Sequence, residues 1–105
     1  YETTASGNNS TAMGYQTTAS DYSSLAIGQY NDSGSSVTAN ATAFDSSNTA
    51  FVIGNGSDNN NRSDAFKVES DGAVRINDSY TLPTTIGTEG QVLTCKSGAV
   101  IWAYI

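Results

Sequence analysis

Apolar positions recur along this chain at two spacings. In the first third they return every fourteen residues: Ser24-Leu25-Ala26-Ile27-Gly28 repeats Ser10-Thr11-Ala12-Met13-Gly14, with Ala5-Ser6 and Ala19-Ser20 in the same phase. Within each unit Thr11 and Met13, or Leu25 and Ile27, are two apart. In a strand they share one side, while Ala12 and Ala26 point to the other. A glycine follows, where the chain turns sharply or passes close to a neighbour. A short fixed period of this kind predicts stacked coils of strand, turn, short second strand and turn. Stacking sets Met13 against Ile27 in an apolar ladder. It leaves a second face of alanines small enough for another chain to approach.

After Gly28 the phase blurs. The stretch from Gln29 to Asn40 is polar, with Gly34 among serines, before Ala39, Ala41, Ala43 and Phe44 restore an alternation. The unit returns at Asn48-Thr49-Ala50-Phe51-Val52-Ile53-Gly54, where Phe51 and Ile53 take the places of Leu25 and Ile27, and Val52 that of Ala26. Larger side chains fit a coil that closes a stack, so a boundary is expected there. Residues 55–64 are an unbroken run of turn formers and polar residues, read as an exposed loop.

The second spacing is two. Phe66 and Val68 alternate inward, Ser70-Asp71-Gly72 turns, and Val74 and Ile76 return inward, the strongest hairpin signal in the chain. Tyr80-Thr81-Leu82 is a short strand ended by Pro83. Residues 91–95 and 100–103 read as two further strands around a Lys96-Ser97-Gly98 turn. No window has a helical apolar period, and the expected class is all-β.

Composition changes this picture in one respect. Leu, Ile, Val and Phe supply only 18 of 105 residues, a level at which chains are often disordered. A single Pro, 13 % charged residues and regular apolar spacing argue for order instead. A thin core then needs burial from elsewhere, and with no His and only Cys95 neither a metal cluster nor an internal disulfide supplies it. Oligomerisation remains. The net charge of −6, with only Arg62, Lys67, Arg75 and Lys96 as cations, leaves no basic stripe for nucleic acid. No apolar run approaches the ~20 residues of a membrane span, so no membrane insertion is expected. The abrupt ends at Tyr1 and Ile105 read as those of a piece of something longer.

The Ser-x-Ala-[Ile/Met]-Gly units, with Ala5-Ser6 and Ala19-Ser20 before them, resemble the head repeats of trimeric autotransporter adhesins over residues 5–54. Ala50-Phe51-Val52-Ile53-Gly54-Asn55-Gly56, Arg62-Ser63-Asp64-Ala65-Phe66-Lys67-Val68 and Asp71-Gly72-Ala73-Val74-Arg75-Ile76 resemble a linker of bacteriophage and large-virus fibre proteins. So do Tyr80-Thr81-Leu82-Pro83-Thr84-Thr85, the stretch from Gly87 to Leu93, and Val100-Ile101-Trp102-Ala103. The first resemblance implies a left-handed parallel β-roll trimer. The second implies a segment that precedes a C-terminal intramolecular chaperone, and with neither neck nor membrane anchor in the chain it favours a viral fibre over an autotransporter. The implied partners are two copies of the chain itself, and a host-surface glycan or protein.

Candidate chemistry is sparse. Tyr15, Tyr22 and Tyr30 recur at intervals of seven and eight beside turns, where they either stack on sugar rings or cover a thin core. Asp58 and Asp64 flank Asn59, Asn60 and Asn61; oxygen donors of this kind suit a hard cation, but the spacing matches no calcium loop and a solvated loop is the simpler reading. Asp58, Asn60 and Arg62 join the tyrosines as candidate receptor contacts. Cys95 has no partner to activate it and reads as a small buried hydrophobe. Trp102 reads as a capping core residue. Asp64, Asp71 and Asp78 specify no acid–base pair, so no catalytic, cofactor-binding or metal-binding residue is assigned, and no cofactor.

The expected architecture is therefore an all-β chain: stacked β-roll or β-solenoid coils in residues 1–54, then a β-hairpin trimerisation segment in residues 55–105, assembled as an intertwined homotrimer. Phe66, Val68, Val74, Ile76, Leu82, Val92, Leu93, Ile101 and Trp102 belong to its shared core. The expected function is a rigid phage or viral fibre segment for host attachment at a virion or extracellular surface, with a plain structural shaft or a bacterial adhesin head as alternatives.

Overall fold

A computed structural model of the protein describes residues 1–32 and 40–105. Four short strands come first: β1 (Thr4–Ala5), β2 (Thr11–Ala12), β3 (Thr18–Ala19) and β4 (Leu25–Gln29). Six follow: β5 (Thr49–Asn55), β6 (Asp64–Glu69), β7 (Val74–Ile76), β8 (Tyr80–Thr81), β9 (Gln91–Lys96) and β10 (Ala99–Tyr104). The described residues contain no helix.

The fourteen-residue repeat sets the register. β1 pairs parallel with β3, Thr4 opposite Thr18 and Ala5 opposite Ala19. β2 pairs parallel with β4, Thr11 opposite Leu25 and Ala12 opposite Ala26. β5 then adds to β4 with Leu25, Ala26, Ile27 and Gly28 opposite Phe51, Val52, Ile53 and Gly54. The repeated serines close the turns before the strands, since the Ser10 and Ser24 hydroxyls donate to the carbonyls of Gly7 and Asp21, three residues back. Gly14 and Gly28 are required on two counts. Their φ angles are +108° and +89°, and a Cβ would lie 2.1 Å from the Gly28 oxygen and 2.3 Å from the Gly54 oxygen respectively.

The backbone has a further period of seven. Glu2, Asn9, Gln16, Ser23 and Tyr30 all adopt left-handed φ, between 42° and 59°. Each marks a corner, and the amides of Gln16, Ser23 and Tyr30 donate to the carbonyls of Tyr1, Asn8 and Tyr15.

From β5 onward the sheet is antiparallel. β6 returns along β5, β7 along β6 and β8 along β7, giving the six-stranded order β2-β4-β5-β6-β7-β8. The expected hairpin is β6–β7, closed by a Gly72 amide donating to Glu69. The last hairpin, β9–β10, is a separate two-stranded sheet, turned by Ser97 and Gly98 at positive φ. The Trp102 indole Nε1 donates to the Thr85 carbonyl at 2.8 Å and its ring lies against Gly87.

The expected β-roll or β-solenoid is corrected by this topology. The class is all-β, but the strands form three separate sheets, and none is closed into a barrel or curled into a roll. A roll needs both of its sheets to gain one strand per coil. Among the described residues the β1–β3 sheet has two strands only, while the other goes on through β5 and turns antiparallel. The intertwined assembly that a roll implied goes with it. Ala41, Ala43 and Phe44 form no strand and are exposed, whereas Ala39 lies outside the described residues.

The alanine side was expected to face another chain, and it is instead the core of this one. Ala19, Ala26 and Val52 are at most 1 % exposed, with Ala12 packed against them. Ala12, Ala19 and Ala26, with Val52, fill the space between the two sheets. The buried remainder is polar and hydrogen-bonded. The Asp21 carboxylate accepts the Thr49 amide, Asp64 accepts the Asp32 amide, and Asn48 accepts the Asn40 amide. No buried side-chain nitrogen or oxygen among the described residues lacks a partner.

Candidate functional site

Two surfaces stand out, and the larger is one face of the six-stranded sheet. Pairing carries a continuous row Leu25–Phe51–Val68–Val74 across four strands. Beside it runs Ile27–Ile53–Phe66–Ile76–Tyr80. Met13, just past β2, lies at the end of this second row. The Phe51 and Phe66 rings meet edge to face at 6.3 Å. Most of these side chains are half-buried, and Met13 and Tyr80 are exposed at 54 % and 40 %, so the described residues leave the face only partly covered.

The opposite face follows a different rule. Its row reads Ala12–Ala26–Val52–Lys67–Arg75–Thr81. It is small and apolar where Ala19 of the β1–β3 sheet packs on it, and polar beyond. Arg75 donates to the Thr81 hydroxyl and the Asp78 carbonyl, with the Asp78 carboxylate 4.0 Å from its Nε. A slab only 17 Å thick holds at most two sheet layers.

The second surface is an aromatic corner. Tyr1 stacks on Tyr15 with centroids 5.0 Å apart, and Tyr15 meets Tyr30 at 5.4 Å. The Arg62 guanidinium carbon caps the Tyr30 ring at 5.4 Å. Arg62 is also a staple: its Nη1 donates to the Gln16 and Asn31 carbonyls and its Nη2 to Asn59. Desolvation by burial, then the Tyr15 hydrogen bond and the charges of Tyr15 and Asp58, raise the Tyr30 phenol above its ordinary value of 10.0, with Arg62 acting in the other direction.

Of the residues singled out from sequence, Tyr15, Tyr30 and Arg62 come together here. Asp58 and Asn60 lie in the adjoining turn, where the Asp58 carboxylate accepts the Asn60 amide and the Asn61 side chain. Tyr22 lies one half-coil away, its amide on the Asn40 carbonyl. Asp64, the other end of the loop, is buried on β6 and not beside Asp58 in the turn. Tyr1, Gln16 and Asn31 belong to this region without having been singled out from the sequence, and Asn59, weighed there as an oxygen donor, accepts from Arg62. The one signal for them was the coil length, which brings Tyr1 under Tyr15. Cys95 was expected to be buried and is exposed.

This arrangement offers contact surfaces and no reacting group. Among the described residues no three His, Cys, Asp or Glu side chains gather where a metal ion would sit, and no helix is long and apolar enough to cross a membrane.

Against known protein families, the chain is similar to the YadA head domain repeat, in two copies within residues 5–31. The adhesin-type repeats expected from the Ser-x-Ala-[Ile/Met]-Gly units are therefore present. The match spans less than half of the chain and does not reach β5, so the fibre-protein linker expected over residues 51–102 has no match behind it. No curated protein and no solved structure matches the chain. Residues 5–31 are thus adhesin-type head-repeat β structure.

Proposed function

We propose that this chain is a segment of a surface-displayed adhesin, working outside the cell as a stiff homotrimeric scaffold for attachment to a host glycan or protein. The observation that carries the reading is the partly covered apolar face of the six-stranded sheet, whose repeat strands β2 and β4 fall in the matched head repeats. Second copies of the chain are its occupant. The two apolar rows carry no charge, so identical chains of net charge −6 meet there without repulsion across the contact. Burial of the rows also supplies what a core of two alanines and one valine does not. In this reading residues 1–54 are the head-like part and residues 55–105 hold the copies together.

The aromatic corner is the proposed receptor contact. Tyr15, with Tyr30 and Arg62 beside it and Asp58 and Asn60 in the adjoining turn, offers apolar ring edges next to hydrogen-bonding groups, as glycan and protein surfaces both use. Tyr22 would contact a receptor from the neighbouring corner. Trimeric display turns weak single contacts into avidity.

The test separates assembly from attachment. Phe66→Asp places a charge in the second apolar row and reduces the particle to a monomer by sedimentation, while Lys67→Ser on the opposite face leaves its size unchanged. Tyr15→Ala leaves the size unchanged and lowers retention on immobilised host glycoprotein. A particle that assembles through this face yet binds no host surface, with or without Tyr15, identifies a structural shaft instead.

A further inference from the structure

Among the described residues the β1–β3 sheet has two strands, and one side chain occupies its other edge. Along β3, the Thr17 and Ala19 carbonyls accept amides from β1, at Thr4 and Ser6. Successive backbone groups point to opposite edges, so the Thr18 N–H and C=O face the other edge, where a third strand would add. Both are taken by Asn31. Its Oδ1 accepts the Thr18 amide at 2.8 Å and its Nδ2 donates to the Thr18 carbonyl at 3.0 Å. A carboxamide has the donor and acceptor of a peptide group, so this side chain occupies the place of a strand one residue long.

The plug is locked from three sides. Asn31 is 0 % exposed. Its own carbonyl accepts Arg62 Nη1 at 3.0 Å, and the next amide, of Asp32, donates to buried Asp64 at 2.7 Å. What it guards against is also legible. β1, β2 and β3 each carry the dipeptide Thr-Ala, and β3 already accepts one such strand, β1, on its other edge. An open β3 edge would meet the Thr-Ala strand of another copy in a register the fold already uses. Open edges of this kind are templates for uncontrolled pairing.

We propose that Asn31 is a built-in strand stop. It closes the β3 edge to the Thr-Ala strands of further copies of the chain, and so confines self-association to the apolar face of the larger sheet. Arg62 is its positioning residue.

Hydrogen exchange and particle size on the full chain test this. Asn31→Ala speeds exchange of the Thr18 amide about tenfold or more and yields thioflavin-positive particles that grow with concentration beyond the wild-type assembly. Val52→Ala, which weakens the core without touching the edge, does not grow. An Asn31→Ala protein of wild-type size with Thr18 still protected overturns the proposal, and so does equal growth of Val52→Ala. Should Asn31→Ala fail to fold, Asn31→Asp decides. It keeps the acceptor for the Thr18 amide and loses the donor to the carbonyl, so it is expected to protect that amide yet still grow. Wild-type size at every concentration would sink the idea.

Discussion

The parallel repeats of residues 1–32 and the antiparallel strands from β5 to β8 share one sheet and reach order by opposite means. The repeats bury methyl groups and polar side chains, put backbones in contact through Gly14 and Gly28, and turn at five left-handed corners. The antiparallel part turns at Asp71-Gly72 and carries its aromatic and branched residues on one face, where they stay half-exposed. The first region draws on its neighbour for Val52 in its core and for the Thr49 and Asp64 partners of Asp21 and Asp32. The second has enough apolar surface for a core but, among the described residues, only partial cover over it. Low apolar content and incomplete burial are therefore separate matters in this molecule.

Substitutions break this comparison in a definite order. Gly28→Ala acts hardest, because left-handed φ and a Cβ 2.3 Å from the Gly54 oxygen strain the joint between the two regions. A loss of about 3 kcal/mol or more, read by chemical denaturation, is expected. Val52→Ala removes two methyl groups from the largest apolar side chain buried among the described residues, costing about 2 kcal/mol. Its effect should appear in the melting of both regions, since Val52 lies on β5 between them. Ser23→Val costs about 1 kcal/mol, because a β-branched residue is disfavoured at a left-handed corner, while Ser23→Gly at φ 57° is near neutral.

The smallest effect concerns pH. With its folded pKa raised, Tyr30 contributes stability that is fully present below the ordinary tyrosine value near 10 and lost as pH rises through the higher folded value. In an absorbance titration of phenolate formation Tyr30 should ionise above its ordinary value of 10.0, and Tyr15→Phe, which removes one phenol of the hydrogen-bonded pair, should bring it earlier.

Side-chain repetition made the register legible: Leu25, Ala26 and Ile27 align with Phe51, Val52 and Ile53 as the recurring motif implies. Turn chemistry did the same for the β6–β7 hairpin. What the sequence concealed was which face is inside. Leu and Ile resemble core and alanine resembles a spacer, but the alanines pack between the two sheets with Val52 while the larger residues lie on the other face. The end of the two-stranded sheet was hidden because a lone Asn in a polar stretch gives no sign that its amide acts as a strand. The corner periodicity was hidden too, since Glu, Gln, Ser and Tyr are not residues that announce left-handed φ. Tyr22 was grouped with Tyr15 and Tyr30 because a spacing of seven or eight counts both corners of a coil, while only every second corner lies on one side.

The account stands or falls on what covers the apolar face of the six-stranded sheet. Sedimentation equilibrium of the unmodified chain over a wide concentration range measures this directly. The account predicts a particle three times the 10.9 kDa chain mass that Phe66→Asp dissociates and Lys67→Ser does not. A folded monomer of 10.9 kDa at every concentration would contradict it.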